Sequence, residues 1–300
     1  MIFVANICLT QYRWYTNKLR IDLLTYLIPT ELNSALTSLA KVGNKIVAGG
    51  TDVYPALKQG QTPARFLDVT RIKELSGFTT TQTGLRIGAT VTWSEIAKAN
   101  LPPSFEGLKQ SAREVGSLQI QNAGTIAGNL CNASPAADGV PPLLTLDAVV
   151  ELASAARGAR MVPLQDFILG VRKTALAVDE MVTAIHIPTP PEGAGSAFEK
   201  LGSRKYLVIS ITMTAAVIKC DAQGAITYAR VAVGACSPVA QRLTHLEADL
   251  IGKKPVEVEI DTAHLSVLSP IDDVRGSGRY RSDIVREQCR RAIQKAAPNG

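Results

Sequence analysis

The spacing of apolar residues changes period several times along the chain, and each change predicts an element. Leu32, Ala35, Leu36 and Leu39 recur at helical intervals behind Pro29-Thr30-Glu31, which predicts a helix ended by Gly43-Asn44. Ile46-Val47-Ala48 then reads as a short buried strand running into Gly49-Gly50-Thr51-Asp52, and Val53 to Leu57 as the start of a further helix with Pro55 in its first turn. Strands are expected over Phe66 to Val69, Leu85 to Ala89 and Thr90 to Trp93, and helices over Ser94 to Ala99 and Ser104 to Val115. A polar, glycine-rich stretch from Gly116 to Gly139 reads as a long loop. Pro141 to Leu146 follows as a short apolar helix or turn, then a hairpin from Ala148 to near Val162. Ile209, Ile211, Met213, Ala215 and Val217 alternate along one strand, and Ile226, Tyr228, Val231 and Val233 along the next, across the turn Asp221 to Gly224. From Ser282, read as a cap, Ile284, Val285, Cys289, Ala292, Ile293 and Ala296 share one helical face that packs on that hairpin. Pro188 to Pro191 with Gly193 and Gly195 is the best linker, so a domain boundary is placed there.

Composition narrows the class. The chain has 300 residues, 46% hydrophobic and 19% charged, which describes a packed globular protein of two domains. The net charge of +6 is spread along the chain apart from Arg204-Lys205 and Arg290-Arg291. Phosphate tracking needs a basic stripe with interleaved aromatics, so nucleic acid is excluded as a partner; mild positive charge fits an anionic cofactor or an acidic subunit. The 5 cysteines contain no CxxC pair, so neither a zinc knuckle nor an iron–sulfur cluster is expected on this chain, and a reduced cytoplasmic setting follows. No apolar run reaches the roughly 18 residues of a membrane span. Residues 1–20 lack a signal-peptide pattern and read as an N-terminal extension, a disordered segment or the product of an upstream start.

Two segments carry candidate chemistry. In Ala48-Gly49-Gly50-Thr51-Asp52, paired glycines after a buried strand allow a sharp turn whose amides can donate to a diphosphate. It is neither a Walker loop nor a GxGxxG turn, and taken alone Gly-Gly serves any strand-to-helix turn. In Asn122 to Asp138, small residues leave little bulk while Thr125, Asn129, Asn132, Ser134 and Asp138 supply donors and acceptors. A loop of that make-up is entropically expensive unless a ligand packs on it. His186, His245 and His264 lie outside both segments, and the acid pairs Asp68 with Glu74, Glu257 with Glu259 and Asp272 with Asp273 read as solvated surface. No catalytic triad is visible.

AGGTD followed by GTIAGNLCNASPAAD and PPLLTLDAVVEL, then Glu180-Met181-Val182 to Ile187-Pro188, FEKLGSRK, GACSPVAQR and the Tyr280-Arg281 helix, resembles the FAD subunit of the molybdenum hydroxylases, the family of the xanthine and carbon monoxide dehydrogenases. The motifs run collinear from about Leu27 to Ala297.

The resemblance implies an α+β chain: a two-subdomain FAD-binding fold of the vanillyl-alcohol-oxidase (PCMH) type over 21–192, then a smaller α+β C-terminal domain over 193–300. It implies non-covalent FAD held by the residues matching the diphosphate turn, Lys45, Ile46, Val47, Ala48, Gly49, Gly50, Thr51, Asp52 and Val53, mainly through backbone amides. Thr125, Ala127, Gly128 and Asn129 match the second FAD loop, Ser134 and Asp138 the ribityl and diphosphate region, and Val182 and Lys200 positions near the isoalloxazine. The implied partners are a 2Fe-2S small subunit and a molybdopterin large subunit in a dimer of heterotrimers, with electrons passing through FAD to NAD+ or a quinone. The family usually has two glycines where this chain has Ala127-Gly128, which is tolerable if residue 127 needs no positive φ. It commonly has a larger or polar pair at Gly139-Val140, and its aromatic-thioester reductases carry a cysteine-rich insertion that is missing here. A stand-alone flavin oxidoreductase and a non-catalytic flavin-binding or assembly protein remain alternatives.

Overall fold

The computed structural model describes residues 26–41, 44–55, 65–204 and 208–297. The expected N-terminal extension over 1–20 lies outside them. The described residues open with β1 (Tyr26–Leu27), helix Leu32–Leu39, β2 (Asn44–Val47) and β3 (Arg65–Asp68), the three strands forming a parallel sheet in the order β1-β3-β2. Helix Leu32–Leu39 matches its expected bounds because Ala35, Leu36 and Leu39 bury one face, although it ends at Leu39, before Gly43. Residues 51–55 form turns, while the remainder of the helix expected from Val53 to Leu57 lies outside the described residues.

β4 (Phe78–Thr81), β5 (Gly84–Gly88), β6 (Val149–Ser154), β7 (Gly158–Pro163) and β10 (Glu180–Pro188) make an antiparallel sheet in the order β4-β5-β10-β6-β7. The small hairpin of β8 (Ile168–Gly170) and β9 (Lys173–Thr174) lies beside it. Helices Trp93–Lys98, Glu106–Glu114 and Val140–Thr145 bury Trp93, Ile96, Leu108, Leu143 and Leu144 in the same core as Ile87, Val150 and Ile185. The strand expected over Thr90 to Trp93 is absent. Thr92 instead caps helix Trp93–Lys98 in a reciprocal capping box with Glu95, which satisfies amides that a strand would have paired laterally.

β11 (Gly195–Leu201), β12 (Thr212–Cys220), β13 (Ile226–Gly234) and β14 (Gln241–Arg242) form an antiparallel sheet in chain order. Its central strand β12 is buried on both faces over most of its length. Val217 and Ala232 pack with the first core, whereas Ala216, Ile218, Val231 and Val233 pack with Leu246, Val285, Cys289 and Ile293. The polar members of the expected alternation, Thr212 and Thr214, are therefore buried and not solvated. The expected start of this strand is also corrected: Ile209 and Ile211 precede β12. The C-terminal helix begins at Gly278, earlier than expected, and its cap is Ser277, whose hydroxyl accepts from the Tyr280 amide; Ser282 lies inside the helix. Apolar periodicity misses this first turn because a buried cation anchors it. Arg281 donates to the carbonyls of Ile211 and Ala235 and to Asp273.

Candidate functional site

β2 ends at Val47 and the chain turns through Ala48 to Thr51, with Gly50 at a φ of +67°, where an L side chain is strained. Gly49 has a different reason to lack a side chain. A Cβ there would lie 1.8 Å from the Ala123 carbonyl oxygen, so this turn and the second segment touch backbone to backbone.

The second segment is not the long loop expected. Helices Leu118–Ala123 and Ile126–Asn132 occupy most of it, capped by Ser117 and Thr125, whose hydroxyls accept from the amides of Ile120 and Gly128. Small residues let this segment lie close to its neighbours: the Ile126 amide donates to Val91 O at 2.9 Å and the Trp93 amide to Gly124 O at 3.1 Å. Burial of Ile126 and Leu130 drives the helix, which ends on Ala133 at a φ of +45°. Ala127 is the second residue of that helix and has no positive φ, so the departure from paired glycines is harmless. The missing bulk at Gly139 also has a cause, since a Cβ there would meet the Trp93 ring at 2.2 Å.

The two segments enclose a cavity of about 760 Å³. Of the candidate residues, Lys45, Ile46, Ala48, Gly49, Gly50, Thr51, Asp52, Val53, Thr125, Ala127, Gly128, Asn129 and Val182 line it. Val47, Ser134, Asp138 and Lys200 do not. Val47 is buried in the protein interior, and the Ser134 hydroxyl accepts from the Ala136 amide at 3.3 Å. Lys200 Nζ donates to Asp138 Oδ2 at 2.7 Å and to the Glu114 carbonyl at 3.0 Å, while Ser210 donates to Asp138 Oδ1 at 2.6 Å. Burial pushes the Asp138 carboxyl upward, and Lys200 and Ser210 pull it back. Lys200 and Glu114 line a second cavity of about 520 Å³, and Val115, the next residue, lines the first.

Asn132, named above among the polar residues of the second segment, also lines the cavity, whereas reading the sequence alone missed Trp93, Ile120, Arg172, Leu176 and Met181 on its wall. Arg172 stands in a hairpin with no motif to mark it. The pairing of β10 with β6 shifts register between Val182 and Ala184, the kind of bulge that re-aims side chains beside sites, and both Met181 and Val182 reach the cavity.

The cavity's chemistry suits an extended dinucleotide. Its volume falls in the range of about 300–1,000 Å³ typical of ligand sites. Among the described residues Asn129 Oδ1 is buried with no hydrogen-bond partner, which suits a ligand donor. A Cβ on Gly128 would meet only the Thr125 hydroxyl and otherwise fill open space. None of the three histidines lines it: His186 Nε2 pairs with Glu151 at 2.6 Å, and the rings of His245 and His264 meet at a tilt of 45° with centroids 5.2 Å apart.

Residues 18–190 match the model of the FAD binding domain in molybdopterin dehydrogenase, and residues 196–296 that of the CO dehydrogenase flavoprotein C-terminal domain. The chain is 34% identical over 260 residues to the nicotinate dehydrogenase FAD-subunit of Eubacterium barkeri, covering 85% of this chain and 86% of that one. It is 31% identical over 260 residues to the xanthine dehydrogenase FAD-binding subunit of Escherichia coli O157:H7, covering 84% and 88%. Its fold is similar to a solved carbon monoxide dehydrogenase from Hydrogenophaga pseudoflava, with a TM-score of 0.81, 26% identity and coverage of 91% and 96%. Among the described residues no helix is long and apolar enough to cross a membrane.

Proposed function

This chain belongs to the FAD-binding medium subunits of the molybdenum hydroxylases, and from that premise we propose that it relays electrons from a 2Fe-2S subunit to an external acceptor, NAD+ or a quinone. It is a subunit of a multi-subunit oxidoreductase. The observation that carries the reading is the closure of two segments distant in sequence around one cavity with a buried, unpartnered acceptor at Asn129.

In this reading the amides of Gly49 to Asp52 hold the cofactor's diphosphate, because the tight turn presents N–H groups without intervening side chains. Asn129 Oδ1 accepts from a cofactor hydroxyl or ring N–H. Thr125, Ala127 and Gly128 form the low-bulk wall, and Val182 with Met181 the apolar one. FAD, when bound there, would supply the redox chemistry, and the residues of this chain would hold and orient it. Lys200, which lines the second cavity and pairs with Asp138, is proposed to bear on the electrostatics of the ring from there. Attachment is non-covalent, and Ser134 supports the turn that leads to Asp138.

The proposed assembly adds a molybdopterin large subunit to the iron–sulfur subunit, two heterotrimers pairing in a cytoplasmic complex. The proposed division of this chain is a flavin domain over 21–192 and a C-terminal domain over 193–300. Two measurements test the reading. Purified chain should show the two absorption bands of flavin, released intact by acid denaturation. In the reconstituted complex, stopped-flow mixing with a substrate of the molybdenum subunit should bleach those bands; flavin that stays oxidised there overturns the relay.

A further inference from the structure

We propose that Arg172 is a cofactor-binding residue, whose guanidinium supplies positive charge to the diphosphate of the bound dinucleotide; this rests on the cavity being the FAD site. Arg172 lines the cavity. It sits at the turn between β8 and β9, where Gly170 pairs with Lys173, so Val171 and Arg172 are the two central turn residues. Its φ is +57° while Val171 is not among the positive-φ residues, the pattern of a turn that normally takes Gly or Asn at this place. A long cationic side chain in a left-handed conformation is a conformational expense that persists where the surroundings impose it, and such outliers gather at ligand clamps.

The surroundings here are specific. The Arg172 amide donates to Ala133 O at 2.9 Å, and Ala133 is itself left-handed at the end of helix Ile126–Asn132. Arg172 Nη1 donates to Asn132 O at 3.1 Å and to the Asn132 side-chain oxygen. The hairpin is thereby tied to the segment that walls the cavity, and the guanidinium is held by neutral oxygens alone. Among the described residues Arg172 has no carboxylate partner. An exposed arginine oriented by its neighbours and without a carboxylate partner among the described residues, on the wall of a cavity for a dianionic ligand, has the chemistry of a phosphate clamp. Asn132 is then a positioning residue that acts through Arg172.

The experiment measures FAD affinity of the full chain by flavin fluorescence at low and high salt, for the wild type and for Arg172→Gly, Arg172→Lys and Asn132→Ala, with ADP as competitor. Glycine relieves the left-handed strain, so Arg172→Gly should melt no lower than wild type without cofactor. It should nevertheless bind FAD about tenfold more weakly at low salt, the loss of one charge-assisted contact. The deficit should shrink at high salt, ADP should compete less well, and Arg172→Lys should fall between. Equal FAD affinity in wild type and Arg172→Gly at both salt levels overturns the proposal, as does a variant that binds FAD normally but no longer joins its partner subunits. Failure of the wild-type chain itself to bind FAD would instead remove the underlying reading of the cavity.

Discussion

Lys200 Nζ and Asp138 Oδ2 lie 2.7 Å apart, with side chains only 6% and 9% exposed, and this pair fastens β11 of the C-terminal sheet to the end of the polar segment that walls the cavity. Burial pushes the Asp138 carboxyl up, and the Lys200 ammonium and the Ser210 hydroxyl act against that shift. Removing one member takes away the partner that offsets the burial of the other. Lys200→Met and Asp138→Asn are each expected to lower unfolding free energy by about 3 kcal/mol, and the double replacement by much less than the sum. Urea unfolding of the four proteins gives the coupling directly.

The two turn glycines should respond differently to a methyl group. At Gly49 the added carbon runs into the Ala123 carbonyl, which is backbone and cannot swing aside, so Gly49→Ala must separate the two segments. At Gly50 the obstacle is the Tyr54 ring, which can rotate, and the main penalty is the left-handed backbone, about 1–2 kcal/mol. Flavin content per chain, read from the absorption spectrum, is expected to collapse in Gly49→Ala and to be partly kept in Gly50→Ala. In Gly50→Val a branched side chain adds to the strain, and binding should be lost.

Acid sensitivity has a local source in Glu180, which opens β10 just before the cavity-lining Met181 and Val182. Arg160 donates to both its carboxylate oxygens, at 2.7 and 2.8 Å, and holds its pKa at about 2 against an ordinary 4.5. The unfolded chain therefore takes up this proton more readily than the folded one. The stabilisation is complete above pH 4.5 and is lost as pH falls through that value toward 2. Glu180→Gln should cost about 2 kcal/mol near neutral pH. Its melting temperature should also fall less steeply than that of the wild type across the same acid window in a pH series.

Arg281 should be intolerant of even conservative change. Its side chain is 2% exposed and bridges the C-terminal helix to the carbonyls of Ile211 and Ala235 and to Asp273. Arg281→Lys keeps the charge but cannot reproduce a planar fork toward three acceptors. A loss of about 2–3 kcal/mol is expected, measured by thermal melting, with Arg281→Met losing more.

The sequence by itself determined what depends on neighbours within a few residues. Helical spacing at Leu32 to Leu39 and the turn between Val217 and Ile226 are local, so their periodicities marked elements that the structure contains. The collinear motifs likewise identified the family, because they preserve residue types in a fixed order. Tertiary structure decided everything that depends on which surfaces meet. Thr212 and Thr214 look solvated in sequence and are buried, since β12 is covered on one face by the first core and on the other by the C-terminal helix. Gly116 to Gly139 looks like a loop and is largely helical, because Ser117 and Thr125 cap two short helices whose apolar residues are too few to show a period. Arg172 carried no signal at all: its place on the cavity wall comes from a hairpin that folds back on Ala133, a contact between positions far apart along the chain, which no pattern of adjacent residues encodes.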